Sequence, residues 1–254
     1  MGTFALQLSG ASKRHAGAPQ PVFRDLSLEI ARGELLVLLG PSGCGKSTLL
    51  ACLAGLDDFS AGSLTFASGQ ASVGVVFQEP RLMPWLNVRE NVALGLGYRR
   101  NRQVRDKVEP AVLLDELGLS ALADAWPDQL SGGQAQRVNL ARSIATRPDI
   151  LLLDEPFAAL DPHTRADLGE WLLQYRRQHS LTALLVTHDL DEALRLADRV
   201  LLMTGKDGAL AAWQREAWAN GAAAEVRAQI LSRFERSSRP ASQRSDAHTV
   251  PAAE

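Results

Sequence analysis

The chain has 254 residues, of which 46% are hydrophobic and 22% charged, and its formal net charge is -2. This is an ordinary soluble composition, and the length suits one large α/β domain or two small ones. The net charge does not predict a broad basic surface that binds nucleic acid, although it leaves room for a local basic patch. No apolar run approaches the roughly 18 residues of a membrane span and the N-terminus lacks a signal-peptide pattern, so we expect the protein to act at a membrane only through a partner.

The first third of the chain contains strand signals and one strand–helix junction. Residues 4–8 and 22–30 alternate apolar and polar side chains, which predicts two half-exposed antiparallel strands. Residues 35–39 form an unbroken apolar run and residues 46–54 favour a helix, so a buried strand followed by a helix is predicted. The two cysteines, Cys44 and Cys52, lack the spacing of a metal site and suit a reducing cytoplasm as small filler residues.

The segment between that strand and that helix reads Gly-Pro-Ser-Gly-Cys-Gly-Lys-Ser-Thr and fits the pattern G-x-x-x-x-G-K-[ST]. Glycines let the backbone curl so that successive N–H groups face phosphate oxygens, and a helix N-terminus adds unpaired N–H groups. Lys46 is placed to reach the β- and γ-phosphates, and the Ser47 hydroxyl to hold Mg²⁺. A glycine turn before an ordinary helix is the alternative, but it does not explain all four fixed positions. The predicted nucleotide-binding residues are Gly40, Pro41, Ser42, Gly43, Cys44, Gly45, Lys46, Ser47 and Thr48.

The character of the chain changes after Gln78. Residues 63–66 and 73–77 predict two strands, but no strand is predicted between residues 79 and 147. Asn87 with Glu90 three residues later predicts a helix start, and residues 102–117 are helix-like, with Pro110 kinking or dividing them. This stretch is therefore predicted to be an inserted helical subdomain that closes with a helix over 133–145.

Signals of a parallel sheet return in the last third. Strands are predicted at 150–153, 182–187 and 199–203, an edge strand at 209–213, and helices at 162–177, 189–197 and 225–234. The fold class is therefore α/β: a mostly parallel P-loop core with an antiparallel β subdomain and an inserted α-helical subdomain. One domain is predicted over residues 1–236, and residues 237–254 have the composition of a disordered tail.

Polar residues follow four of the predicted strands. Besides the phosphate loop, these are Gln78, the pair Asp154-Glu155, and His188. Parallel strands end at one edge of a sheet, so the four positions predict a single site. Asp154 is suited to hold Mg²⁺ through a water, and Glu155 to deprotonate the attacking water. Gln78 could bridge Mg²⁺ and that attacking water, and His188 could contact the γ-phosphate. A lone histidine in a loop or an acid pair at a helix start would be unremarkable without the upstream phosphate loop.

A second potential anion site lies at the start of the helix that closes the subdomain. It consists of Ser131, Gly132, Gly133 and Gln134, where a helix N-terminus offers unpaired N–H groups. The alternative is an N-cap serine followed by two turn glycines, and the segment alone favours that alternative. A second phosphate site in a chain with one lysine-bearing phosphate loop requires an explanation.

Together these motifs resemble the ATP-binding subunits of ABC transporters over residues 4–213. The matching parts are the Walker A loop at 40–48, the Q-loop at Gln78, the signature LSGGQ at 130–134, the Walker B strand at 150–155, the D-loop at Ala159, Leu160 and Asp161, and the H-loop at His188. The resemblance implies the ABC ATPase fold and an enzyme that uses ATP and Mg²⁺. It also implies a head-to-tail homodimer in which Ser131 meets the γ-phosphate of the nucleotide bound to the partner chain.

Two positions depart from the family pattern. The family usually stacks an aromatic residue on adenine after the first strand, and the corresponding position here is His15, whose imidazole stacks more weakly. The D-loop has Ala159 where serine or glycine is commoner. His15 is therefore the candidate adenine-contacting residue.

The segment from residue 77 to residue 92 is similar to importers of nitrate, taurine and aliphatic sulfonates, including relatives that carry thiamine precursors. This implies two copies of the chain on two permease subunits at the cytoplasmic face of the cell membrane, with a separate substrate-binding protein outside and no nucleic acid. Met83 and Trp85 predict a docking groove for a permease helix, unless Trp85 only packs onto its own subdomain. The alternatives are the ATPase of an exporter or lipoprotein-release system, or a soluble ABC ATPase acting on DNA or ribosomes.

Overall fold

The computed structural model describes residues 4–98, 101, 108–204 and 210–238. The strands are β1 (Phe4–Lys13), β2 (Phe23–Ala31), β3 (Leu35–Leu39), β4 (Ala61–Phe66), β5 (Val73–Val76), β6 (Ile150–Asp154), β7 (Thr182–Thr187), β8 (Arg199–Met203) and β9 (Leu210–Gln214). The α-helices are α1 (Lys46–Leu53), α2 (Val88–Ala93), α3 (Pro110–Glu116), α4 (Gly132–Ala145), α5 (Pro162–His179), α6 (Leu190–Leu196), α7 (Glu216–Ala219) and α8 (Ala223–Ser238). Short 3-10 turns lie at Leu94–Gly97, Ser120–Leu122 and Pro127–Gln129.

The main sheet has six strands in the order β5-β6-β7-β3-β8-β9. All neighbours pair in parallel except β8 and β9, which pair antiparallel. Both faces of its central strands are buried, because β3 and most of β6, β7 and β8 consist of apolar side chains. In β3, for example, Leu36 and Leu38 belong to one core cluster, and the alternate side chains Leu35, Val37 and Leu39 to the other. This is the predicted α/β core, and it places β3, which leads into the phosphate loop, inside the sheet.

A separate three-stranded antiparallel sheet, in the order β2-β1-β4, forms the predicted β subdomain. The prediction of a short first strand was wrong, because β1 continues from the predicted end at residue 8 to Lys13. The register shifts between Leu8 and Ala11, where Gly10 has a φ of 59°, so a bulge interrupts the alternation that the prediction used. Gly62 of β4 packs directly against the backbone of β1, because a Cβ on Gly62 would lie 2.5 Å from the Ala11 Cα.

The helical subdomain comprises α2, α3 and α4, and the described residues between 79 and 147 contain no strand. The predicted cap of α2 is confirmed, because the Glu90 N–H donates to Asn87 Oδ1 at 2.8 Å and the Asn87 N–H to Glu90 Oε2 at 2.9 Å. Pro110 occupies the first turn of α3, so the helix begins at the proline that was predicted to kink or divide it. The charged residues 102–107 before it lie outside the described part of the chain.

The remaining boundaries are close to those predicted. The edge strand exists as β9, and the last helix, α8, is longer than predicted and continues through Ser238. The disordered tail is predicted over residues 237–254, but residues 237 and 238 belong to α8, so its predicted start is wrong by two residues. Residues 239–254 are outside the described residues. Among the helices that the structure describes, none is both long and apolar enough to cross a bilayer.

Candidate functional site

Several of the predicted site residues meet at the carboxyl edge of the main sheet. The phosphate loop follows β3, Asp154 ends β6, and His188 follows β7. Adjacent strands carry them, because β6 pairs with β7 and β7 with β3. The structure thus brings Ser47 to Asp154 and Glu155 to His188.

The phosphate loop encloses its own lysine. Lys46 is only 5% exposed, and its ammonium group donates to the carbonyl oxygens of Gly40 at 2.8 Å and Pro41 at 3.0 Å. An ammonium group has three hydrogens, so one remains for a ligand in the loop. Ser42, Gly43 and Ser47 are exposed, and Pro41, Cys44, Gly45 and Thr48 are half-buried. Burial raises the pKa of the Cys44 thiol, which keeps this loop cysteine protonated at neutral pH.

Two glycines of the loop are required by close approach. Gly45 caps α1 with a φ of 106°, and a Cβ there would lie 2.7 Å from Val22 Cγ1. A Cβ on Gly40 would lie 2.7 Å from the carbonyl oxygen of Met203 at the end of β8. The loop therefore combines a left-handed turn with direct packing on the sheet and on the segment before β2.

The donor set beside the loop fits Mg²⁺. The Ser47 hydroxyl donates to Asp154 Oδ1 at 3.0 Å, so a hydroxyl and a carboxylate oxygen lie together. Burial raises the pKa of the Asp154 carboxyl above its usual value, and the hydrogen bond from Ser47 opposes that rise. No cluster of three His, Cys, Asp or Glu side chains occurs among the residues described. Mg²⁺ suits such a sparse set of hard oxygens, because it keeps several waters and takes the rest of its ligands from phosphates.

Glu155 and His188 form a contact pair across β6 and β7. Glu155 Oε2 lies 3.0 Å from His188 Nδ1, and the glutamate side chain is 18% exposed whereas the histidine is 54% exposed. Glu155 has a φ of 43°, a strained value for this residue type, and its N–H donates to the Val186 carbonyl at 2.9 Å. The turn at Glu155 therefore leaves its carboxylate within hydrogen-bond distance of the His188 imidazole.

Two other predicted positions, Gln78 and Asp161, form no hydrogen bond with this pair among the described residues. Gln78 is exposed in the loop after β5. Asp161 is the N-cap of α5 and accepts from the N–H groups of His163 and Thr164. Hydrogen bonds from Thr164 hold the pKa of the Asp161 carboxyl below its usual value. The structure shows no contact that joins either residue to the Glu155–His188 pair.

The signature segment, residues 130–134, forms a capped helix start. The Ser131 hydroxyl accepts from the Gln134 N–H at 3.3 Å, and the Ser131 N–H donates to Gln134 Oε1 at 2.9 Å. Ser131 and Gly132 are exposed, and Gly133 is half-buried. A Cβ on Gly133 would lie 3.2 Å from Thr164 Cγ2, so this glycine lies against the first turn of α5.

His15 lies in an exposed turn between β1 and β2. Below it, the buried Lys13 donates to Asp57 Oδ1 at 2.5 Å and to the Asp58 carbonyl at 2.7 Å, which fixes the start of this turn to the segment after α1. No contact in the described structure gives His15 a role of its own, so adenine contact stays a prediction.

Sequence reasoning missed the arginines that hold the site loops together. Arg165 donates to the Leu160 carbonyl at 3.1 Å and to Asp189 Oδ2 at 3.1 Å, and so connects the D-loop with the segment after His188. Arg142 of α4 similarly contacts the loop after Gln78. A sequence signal exists for both: each is a cation on a helix that also carries core residues.

Comparison with known proteins gives consistent matches. A family model described as ABC transporter matches residues 23–158. An aliphatic sulfonates import ATP-binding protein, SsuB 1, of Pseudomonas savastanoi pv. phaseolicola is 49% identical over 199 residues, which cover 78% of this chain and 80% of the relative. The protein of the same name from Xanthomonas axonopodis pv. citri is 45% identical over 221 residues, covering 85% and 87%.

Two solved structures are similar to the chain in fold. The chain cbiO1 of Clostridium perfringens, described as part of the ABC transporter complex cbiONQ, has a TM-score of 0.75 and 25% identity, covering 92% of this chain and 97% of its own. The ATP-binding cassette MJ0796, a dimer in a post-hydrolysis state bound to ADP and Pi, has a TM-score of 0.69 and 29% identity, with coverage of 83% and 98%.

The packing of Gly45 leads to a prediction about the phosphate loop. Gly45→Ala should abolish ATP binding, because the new methyl group collides with Val22 and the left-handed φ disfavours alanine. Gly55→Ala is the matched control: Gly55 also has a positive φ, 70°, but nothing lies within 4 Å of its Cβ position. The control should cost about 1 kcal/mol of stability and retain ATP binding. Binding titrations with a fluorescent ATP analogue, after a urea unfolding curve for each variant, would test this. Equal binding by both variants would contradict it.

Proposed function

This chain belongs to the ABC transporter family, and on that premise we propose that it drives import of a sulfonate-like anion by hydrolysing MgATP in a head-to-tail dimer. It is the ATP-binding, ATP-hydrolysing subunit of an importer, as the family match and the importer relatives indicate. The observation that supports the residue assignments best is the pair of contacts at one sheet edge, Ser47 with Asp154 and Glu155 with His188, each 3.0 Å long.

The proposed chemistry is water attack on the γ-phosphate. The backbone N–H groups of the phosphate loop and the Lys46 ammonium would bind the β- and γ-phosphates. Ser47, Asp154 and Gln78 would hold Mg²⁺, which when bound neutralises phosphate charge. Glu155 would accept the proton of the attacking water, and His188, which lies 3.0 Å from that carboxylate, would contact the γ-phosphate.

The proposed active form is a dimer with two nucleotides between the chains. The capped start of α4 at Ser131 presents exposed backbone N–H groups with no lysine of its own, which suits the γ-phosphate of a nucleotide bound to the partner chain. Gly132, Gly133 and Gln134 complete that surface, and Asp161 would lie at the dimer contact. The dimeric MJ0796 with ADP and Pi supports this arrangement.

We place the permease contact at the loop between Gln78 and α2. Trp85 is 68% exposed, so it does not pack onto its own subdomain. The loop around it is nevertheless rigid, because the fully buried Asn91 accepts from the Met83 N–H at 2.8 Å and donates to the carbonyls of Met83 and Leu86. An exposed indole on a fixed loop suits contact with an apolar side of a permease helix. The chain would then be peripheral, at the cytoplasmic face of the membrane.

The direction and cargo are proposed from the relatives. The curated relatives reported above are named for import of aliphatic sulfonates, which favours import over export, lipoprotein release or a soluble role on DNA or ribosomes. Among the candidate cargoes of this importer group, an aliphatic sulfonate is therefore proposed rather than nitrate or a thiamine precursor. An extracytoplasmic binding protein would select that anion, and sulfonate-dependent ATPase stimulation in the assembled transporter would test the assignment.

The first prediction concerns the general base. Glu155→Gln should lower ATP hydrolysis by at least about 100-fold, because it removes the proton acceptor, while ATP affinity stays within about twofold. Size-exclusion chromatography with ATP and Mg²⁺ should then show a stable dimer. Glu170→Gln, an exposed carboxylate on α5, is the control and should hydrolyse normally. A variant that stays monomeric with MgATP would contradict the sandwich.

The second prediction concerns His15. If its ring stacks on adenine, His15→Ala should weaken ATP binding about fivefold, equivalent to about 1 kcal/mol, and His15→Tyr should retain or tighten it. Inorganic tripolyphosphate has no base, so its affinity should be the same in all three proteins. Unchanged ATP affinity in His15→Ala would leave His15 as an exposed turn residue.

The third prediction concerns permease docking. Trp85→Ala should leave the ATPase of the isolated subunit within about twofold of wild type, since it removes an exposed contact only. It should reduce co-purification with the permease subunits and stimulation by loaded binding protein by about tenfold or more. Leu56→Ala, which removes an apolar side chain that is 62% exposed after α1, is the matched control. Normal transport by the Trp85→Ala variant would exclude this docking site.

A further inference from the structure

The loop that carries Gln78 is attached to α4 at the point where β5 ends. The Phe77 carbonyl accepts from Asn139 Nδ2 at 3.1 Å and from Gln136 Nε2 at 3.4 Å. Both amides are buried, with Asn139 0% and Gln136 3% exposed. Ser143 of the same helix donates to the Val75 carbonyl at 2.8 Å, within β5 itself. The backbone immediately before Gln78 is therefore fixed by buried side chains of one helix.

The same loop is attached again just after Gln78 and Glu79. Arg142 donates through Nη1 to the Arg81 carbonyl and through Nη2 to the Pro80 carbonyl, each at 2.9 Å. Nη2 also donates to Asn139 Oδ1 at 3.0 Å, which links the two attachment points. Arg81 has a φ of 45°, so the chain turns sharply where Arg142 holds it.

The partners of Arg142 are unusual for a partly buried cation. Its hydrogen bonds go to two backbone carbonyls and an amide oxygen, and within the described residues it forms no ion pair. Burial lowers the pKa of this half-buried guanidinium, and among the described residues no carboxylate pairs with it to offset the desolvation. A role in packing alone would be filled more cheaply by an uncharged side chain of similar length, such as methionine. The planar set of N–H donors is what methionine lacks.

These side chains also share a helix with the signature segment. Residues 136, 139, 142 and 143 recur at three- and four-residue intervals, so they lie on one face of α4. Ser131 is the N-cap of the same helix, eleven residues before Arg142, or about 16 Å along the axis. One helix, α4, therefore fixes both Gln78, which would lie beside the chain's own nucleotide, and Ser131, which would meet the partner's nucleotide.

We propose that Arg142 is a positioning residue for ATP hydrolysis. By holding the carbonyls of Pro80 and Arg81, it fixes Gln78 relative to α4, the helix that begins at the signature segment. This proposal rests on the role given above to Gln78 at the nucleotide. Without the guanidinium, the loop after Gln78 loses its second attachment. Gln78 then no longer reaches its productive position, although the phosphate loop and the Glu155–His188 pair are untouched.

A kinetic double-mutant cycle tests this. Gln78→Ala and Arg142→Met should each lower the kcat/KM for MgATP about tenfold, mainly through kcat, and leave the equilibrium affinity for a fluorescent ATP analogue within about twofold. The double variant should also fall about tenfold, because Arg142 acts only through Gln78. Arg142→Lys, which retains the charge but can donate to fewer carbonyls at once, should show an intermediate loss.

The matched control is Arg137→Met, because Arg137 lies on the same helix and donates to a different carbonyl, that of Leu117, at 3.1 Å. It should hydrolyse ATP within about twofold of wild type and combine additively with Gln78→Ala. If Arg142→Met does not fold in a urea titration, the cycle is run with Arg142→Lys. An additive loss of about 100-fold in the double variant, or normal activity in Arg142→Met, would overturn the proposal. A normal rate in Gln78→Ala would instead contradict the proposed function of Gln78.

Discussion

Burial of the main sheet on both faces is the constraint on which the site depends. The five side chains of β3 alternate between two core clusters, and none is more than 1% exposed. A sheet closed in this way offers polar groups to a ligand at its strand ends rather than on its faces. Since β3, β5, β6 and β7 run in parallel, their carboxyl ends share one edge, and the phosphate loop, Gln78, the Asp154-Glu155 pair and His188 all follow from that edge.

At the amino-terminal ends of the strands, charged side chains bind the backbone, and this determines where β3 begins. Arg176 of α5 pairs with Asp198 and donates to the Gly33 carbonyl at 2.6 Å. Asp198 in turn accepts from the Leu35 N–H at 2.9 Å. A partly buried ion pair contributes little net stability after desolvation, but here it satisfies the backbone groups at the start of the strand. Contacts at both ends of β3 therefore fix the position of the phosphate loop relative to the sheet.

The segment between Gln78 and α2 shows how an irregular loop can transmit a change. It contains no helix or strand, and side chains of two helices hold its carbonyls instead. Asn139 and Arg142 of α4 hold its beginning, and Asn91 of α2 holds its end. Between these points the Trp85 side chain remains exposed. Under the permease contact proposed for this loop, a change at Gln78 would reach Trp85 as a displacement of the attached subdomain rather than as local disorder.

The sequence by itself determined the elements whose physics is local. The bounds of β3, β7 and β8, the phosphate loop and the capping box at Asn87 were predictable, because apolar runs, glycine patterns and caps act within a few residues. The tertiary structure decided what depends on chain segments far apart: the bulge that extends β1, the 3.0 Å contact of Glu155 with His188, and the attachment of the Gln78 loop to Arg142. Residues 33 and 61 positions apart form the last two contacts, and no local pattern specifies such distances, because they arise only when buried strands and helices pack against one another.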